Sequence, residues 1–545
     1  MRKIGQVEMK VTNRSGFDKS HRSLFTMKTG TLYPILVDEL LPNSTIHLKQ
    51  LLSAQMPPLA TDAFANVKIK TEAFFCPYRL LYGGFEHWLM ETPLRTPSGS
   101  AYKVQSVCLT LDPSCISVPG SLADFLGFKL PPDYDSSVSE SFNVNIYPWL
   151  CYGRIYDDWY RNSLVQSPLF VPANNGLTIP DCVATLPFKE YGNSVSPSAS
   201  SAYDGTGTTA ASAAKNGFYA DGSYITDLRQ RNFGLDYFTS GQTSAQRGIP
   251  RSVSMTVANN STSFTIASLR AQNSLEIFSE RNNFSYKIED YNLINYGARL
   301  KRGMATRPVF LGQQVIDVYS KGIYQTSDDS GQVTYNNPFN GVASKFGSAQ
   351  AVSSDTLVDS FTTDEAGIFM VICSIVPKVT YNTGTRRYLS HYVQPGSQTD
   401  LANHTLQNVG NQPIYQYELV GGKPVYNNPA VFAYTDRFAE WMTMEDEVHG
   451  LLKDGQSLDA FALQRSFMSQ GGQVVLNSSF LKIPTNYLDQ IFAVSSANAN
   501  FAAWCEAYFD YKVIQPLAEY SIPSLQDPAY EHGKTVTVSK NGGAL

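Results

Sequence analysis

Ala65-Asn-Val-Lys-Ile-Lys-Thr-Glu-Ala-Phe-Phe75 alternates apolar and polar side chains, the period of a strand with one buried face. Phe25 to Thr29 and Leu32 to Val37 read as further strand pieces. Gly367 to Tyr381 begins as a continuous apolar run and ends in alternation, and the first part suits a strand covered on both faces. Pro, Gly, Asn and Ser separate these runs with the punctuation of a β-sandwich. Helical spacing is confined to three places. Ile266, Leu269, Leu275 and Phe278 define one apolar face. Arg154 to Leu164 predicts a shorter aromatic helix, with Ile155 and Trp159 four apart. Leu458 to Met468 predicts a third, carrying Leu458, Phe461, Ala462 and Arg465.

Length sets a soft prior of several domains for 545 residues, but one elaborated sandwich can be as long. The absence of an internal repeat removes propellers and solenoids. Three divisions follow: a basic arm over 1–28, a single β domain over 29–525 and a polar tail over 526–545. Asn193 to Ser223 is built from Ser, Ala, Gly, Thr and Asn, with Val195 its only aliphatic side chain larger than Ala. It cannot supply a core, so an exposed loop is expected there, with Asn193, Ser201, Gly207 and Ser223 marking it.

Composition changes this picture in one respect. Charged residues are 16% of the chain, below the roughly 25% of an ordinary soluble domain, while aromatics reach 12%. Surfaces buried against partners lose charge and gain aromatics in this way. The net charge of −5 excludes a general polycation. Positive charge is local: Arg2, Lys3, Lys10, Arg14, Lys19, Arg22 and Lys28 face only Glu8 and Asp18 in the first 28 residues. Arg2, Lys3, Lys10, Arg14 and Arg22 are the candidates for contact with phosphates. Arg299, Lys301, Arg302 and Arg307 form a second basic stretch. Seven widely spaced cysteines, without a Cys-x-x-Cys pair, argue against a disulfide framework or zinc site and for a reducing compartment. The start of the chain does not read as a signal peptide, and the longest apolar run is too short to span a bilayer. A soluble protein made in the cytoplasm, with no membrane partner, is expected.

Few motifs carry chemistry. Gly533-Lys534-Thr535 resembles the end of a phosphate-binding loop, but Pro528 stands where the first glycine belongs. No two of the seven histidines have ligand spacing, and nothing calls for a cofactor. Asp157-Asp158 and Glu445-Asp446-Glu447 can serve acid/base or cation chemistry, although such clusters are more often solvated faces. Tyr152, Tyr156, Trp159 and Tyr160 can stack on bases but lack interleaved cations, so packing is the expected role.

An ordered set of segments carries a resemblance. Phe17-Asp-Lys-Ser-His21, Gly30-Thr-Leu-Tyr-Pro-Ile35, Phe74-Phe-Cys-Pro-Tyr-Arg-Leu-Leu81 and Tyr152-Gly-Arg-Ile-Tyr-Asp-Asp-Trp-Tyr-Arg-Asn162 come first. Asp236-Tyr-Phe-Thr-Ser240 with Gln246-Arg-Gly248, Leu269-Arg270, Arg307-Pro308 and Thr380-Tyr-Asn-Thr-Gly384 follow. Val431 to Glu440 and Leu476-Asn-Ser-Ser-Phe480 complete the set. In this order they resemble the major capsid proteins of the Microviridae, particularly the gokushovirus-like branch. Gly241-Gln-Thr-Ser-Ala245 and Val309 depart from the family pattern. Only a short polar stretch follows Gly248, where many relatives carry a large insertion, so a different outer decoration is expected.

The resemblance implies a mainly β protein: an eight-stranded antiparallel jelly-roll β-sandwich with long interstrand loops and a few helices. It implies self-assembly into an icosahedral shell around a circular single-stranded DNA genome. Localisation would be the virion, and the host cytoplasm during assembly. The implied partners are copies of the chain, viral DNA, a small basic DNA-packaging protein, minor pilot or spike proteins and a bacterial host receptor. A β-sandwich carbohydrate-binding protein or glycosidase is the alternative, opposed by the lack of an identifiable acid/base pair.

Overall fold

The computed structural model describes mainly residues 14–57, 64–81, 119–128, 142–169, 225–245, 288–299, 306–324, 345–390, 411–421, 430–467, 473–492 and 502–517, with short pieces outside these ranges. Eight strands carry the architecture. In chain order they are β1 (His21–Met27), β2 (Tyr33–Leu40), β3 (Thr45–Gln55), β4 (Val67–Pro77), β5 (Val309–Tyr324), β6 (Lys345–Thr362), β7 (Gly367–Pro377) and β8 (Ala503–Gln515). Every pairing between these eight strands is antiparallel. One row runs β1-β8-β3-β6 and the other β2-β7-β4-β5, with β5 and β6 joined as a hairpin. Two antiparallel rows facing one core are the arrangement of a β-sandwich.

Side chains from the two rows meet in one interior. Ile46, Leu48 and Leu52 of β3 and Phe509 and Val513 of β8 share a core with Ile69 and Phe75 of β4 and Phe369 and Val371 of β7. Phe369 stacks on Tyr511 at 5.8 Å and Phe75 meets Phe361 at 5.4 Å, each ring pair bridging the rows. Tyr511 then donates its hydroxyl proton to Asp38 of β2 at 2.8 Å. Strand composition follows from this geometry. β3 and β8 alternate buried with exposed positions, whereas all eleven residues of β7 are buried. The outer side of β4 and β7 is covered too: Phe74, Cys76, Ile368, Met370 and Ile372 pack with Leu150, Cys151 and Ile155 of helix α1 (Tyr147–Ile155).

The helices differ most from expectation. Instead of Arg154 to Leu164, α1 starts at Tyr147 with Pro148 in its first turn, and its last turn continues as a π-helical stretch over Tyr156–Tyr160. The helix is buried nearly all round, so no polar stripe marks its start. The helix expected over Leu458 to Met468 reduces to a 3-10 turn at Asp459–Phe461. Beyond it the backbone bonds to neighbours instead: Arg465 donates its amide proton to the Thr380 carbonyl at 2.8 Å. The 266–278 helix lies outside the described residues, apart from Arg270, which is helical. Among the described residues no helix is long and apolar enough to cross a membrane. The described cysteines, Cys76, Cys151, Cys373 and Cys505, are free and buried, and burial pushes the Cys373 thiol up to about 12.

Candidate assembly and nucleic-acid surface

The β1-β8-β3 portion of the first row has an open side. Two-residue alternation turns Arg22 and Leu24 of β1, Trp504, Tyr508 and Lys512 of β8, and Lys49 and Leu51 of β3 away from the interior. Tyr508 lies opposite Arg22 on one side and Leu51 on the other. The Trp504 indole N–H donates to Gln55 Oε1 at 3.0 Å, which fixes the ring along the strand. Arg22 reaches Glu506 at 2.6 Å and Lys512 reaches Asp510 at 3.3 Å. Arg14 donates to the Thr45 hydroxyl at the start of β3. Exposed carboxylates Asp355 and Asp359 lie on β6. The surface thus combines flat aromatic and aliphatic side chains with arginine and lysine, of which Arg22 and Lys512 are paired with Glu506 and Asp510.

Of the residues expected to meet DNA, Arg14 and Arg22 lie on this side at separate places, Arg14 at the Thr45 end of β3 and Arg22 opposite Tyr508 midway along β8. Within the stretch read as a basic arm, Ser15–Asp18 pairs with β8 and His21–Met27 is β1, so residues 15–27 are largely sheet. Gln6–Lys10 pairs with Thr535–Ser539, bringing the two ends of the chain together; the side chain of Lys10 lies outside the described part, as do Arg2 and Lys3. Asn193, Ser201, Gly207 and Ser223 are also outside the described residues. Sequence reading missed Trp504, Tyr508, Lys49 and Lys512. Alternation between Ala503 and Gln515 was the available signal, but aromatics occupy both phases of β8 and hide it.

The other candidates are absorbed by packing. Tyr152, Tyr156 and Tyr160 are buried, and Trp159 donates its indole N–H to the Pro308 carbonyl at 3.0 Å beneath the Arg307 guanidinium. Asp157 binds Arg161 at 2.6 Å, and Asp158 binds Arg154 at 2.8 Å. In the second acidic run, Glu445 accepts the Tyr237 amide proton, Asp446 pairs with Lys378, and Glu447 receives two 2.7 Å bonds from Arg386. Arg307 of the second basic stretch is held by Glu289 and Asp290. A separate exposed group, Tyr388, Leu389, Trp441, Met442 and Met444, presents large apolar side chains to solvent. Exposed apolar side chains in such numbers fit a protein that buries its surface against others.

Residues 5–525 match the capsid protein (F protein) family of phages. The chain belongs to that family. It is 24% identical to capsid protein VP1 of Chlamydia phage 1, over 96% of this chain and 98% of the relative. It is 23% identical to capsid protein VP1 of the Bdellovibrio phage phiMH2K, over 96% and 97% of the two chains. The capsid chain therefore has the role of a Microviridae major capsid protein: it assembles with copies of itself and belongs to the virion. Its low charge and exposed aromatics gain a cause, because in a shell much of this surface becomes contact between copies.

Proposed function

We propose that the capsid chain closes into a small icosahedral shell around a circular single-stranded DNA genome, with the open β1-β8-β3 face turned inward to the DNA. The shell forms in the host cytoplasm. The observation that carries the inward assignment is the placement of Arg14 and Arg22 on the same face as Trp504 and Tyr508. Single strands are held by cations along the backbone and aromatic rings against bases, without sequence preference. With a net charge of −5, the chain cannot neutralise a genome alone. A small basic packaging protein supplies the remaining positive charge in this reading. Minor pilot or spike proteins and a bacterial receptor engage the outside, where the 193–223 segment is the proposed contact. The subunit acts by assembly and not by catalysis.

The test is salt-dependent binding of single-stranded DNA oligonucleotides to dissociated subunits, together with the DNA content of shells assembled from the same variants. Each cation removed from a phosphate contact lowers the slope of log K against log salt by about 0.7. The Arg14→Ala/Arg22→Ala/Lys49→Ala variant is expected to lose up to about 2 in slope. An unchanged slope for that variant, together with unchanged DNA content of its shells, contradicts the inward assignment.

A further inference from the structure

The β5–β6 hairpin is longer than the sandwich that holds it. Pairing of β5 with β4 ends at Val318, opposite Val67. Pairing of β6 with β3 ends at Gln350, opposite Gln55. From there Tyr319–Tyr324 and residues 345–350 pair with each other in unbroken register, from Tyr319 opposite Gln350 to Tyr324 opposite Lys345, and only Gln350, opposite Gln55, also meets another named strand. Six residues of strand extend about 20 Å. Among the described residues no other strand pairs with either outer edge of this extension.

A two-stranded ribbon with two open edges is marginal in water, and open edges are templates for further pairing. The sequence does little to blunt them. Lys321 and Lys345 are the only charges in the twelve ribbon residues, among Tyr319, Ile323, Tyr324 and Phe346. Gly322 stands opposite Gly347, so at that register neither strand carries a Cβ and another surface can approach the backbone closely. Two lysines do not make a DNA-binding ribbon. A shell, in contrast, surrounds every subunit with identical neighbours, and this chain assembles with copies of itself.

We infer that the β5–β6 ribbon is an intersubunit clasp that lies against a second copy of the chain in the shell, with its edges and its glycine pair covered there. This rests on the capsid role and is independent of which face meets DNA. A photo-crosslinking residue in place of Ile323 tests it in assembled particles. The expected result is a covalent dimer of the capsid chain, absent when the same protein is irradiated as dissociated subunits. Crosslinks confined to one chain, or to DNA, overturn the inference. A second arm uses Tyr324→Glu with Phe346→Asp. Folded subunits with unchanged circular dichroism should need at least about tenfold higher concentration to assemble, since a weakened contact recurs at every copy. Assembly at the wild-type concentration overturns it. If those substitutions prevent folding, the crosslink decides. Single-stranded DNA binding by dissociated subunits separates this outcome from failure of the inward-face reading, because the clasp variants should bind DNA as the wild type does.

Discussion

Glu72 shows how much one buried charge is asked to do. It lies on the outer side of β4, accepting from both Arg231 nitrogens at 2.7 and 2.9 Å and from the Tyr160 hydroxyl at 2.5 Å. Burial, with the carboxylate beside it, holds the Tyr160 phenol well above its ordinary value, so it remains a donor. Glu72→Gln should destabilise the subunit by about 3–5 kcal/mol, because Arg231 is left buried without its charge partner. Thermal unfolding of isolated subunits measures this, and a loss below about 1 kcal/mol would mean that the pair is better solvated than its geometry implies. Glu447 makes a pH-dependent contribution. The Arg386 hydrogen bonds lower its pKa from the ordinary 4.5. Its stabilisation is therefore present above that value and lost as pH falls through the lower folded value. The melting-temperature gap between wild type and Glu447→Gln should be present at neutral pH and close progressively below about pH 5. A constant gap contradicts the ion pair. Neither partnership was legible in the sequence: Glu72 is 159 residues from Arg231, and Glu447 is 61 from Arg386.

Elements were legible where one period dominates. Val67–Pro77 and Gly367–Pro377 follow the alternation and the continuous apolar run seen in the chain. Helix α1 was misplaced because Tyr147, Trp149, Leu150, Cys151 and Tyr152 are all buried and leave no polar side to read. The 458–468 helix failed for a different reason: its spacing was helical, but its backbone groups bond across to 380 and 381. Strand irregularities were invisible. The β5 register shifts between Phe310 and Gly312, and a Cβ at Gly312 would stand 2.1 Å from the Leu357 carbonyl oxygen. Gly312→Ala should therefore force the β5 and β6 backbones apart and destabilise by about 1–3 kcal/mol. Chemical denaturation of dissociated subunits checks this; an unchanged midpoint would show that the two strands can separate there without cost.

At the scale of the whole molecule, sequence and structure speak to different parts of one function. The ordered family segments carry the capsid identity, and charge-poor, aromatic composition reports a surface made for partners. Neither indicates which sheet face is open, because Arg22, Lys49, Leu51, Trp504 and Tyr508 share one face only when the first and last strands pair. Residues 6–10 pair with residues 535–539 in a separate two-stranded sheet. Electron cryo-microscopy of particles formed by the purified chain tests the capsid role most directly. Closed, uniform icosahedral shells are predicted, each subunit showing strand orders β1-β8-β3-β6 and β2-β7-β4-β5. A stable monomer that forms no shell across the salt and pH range in which it stays folded would contradict it.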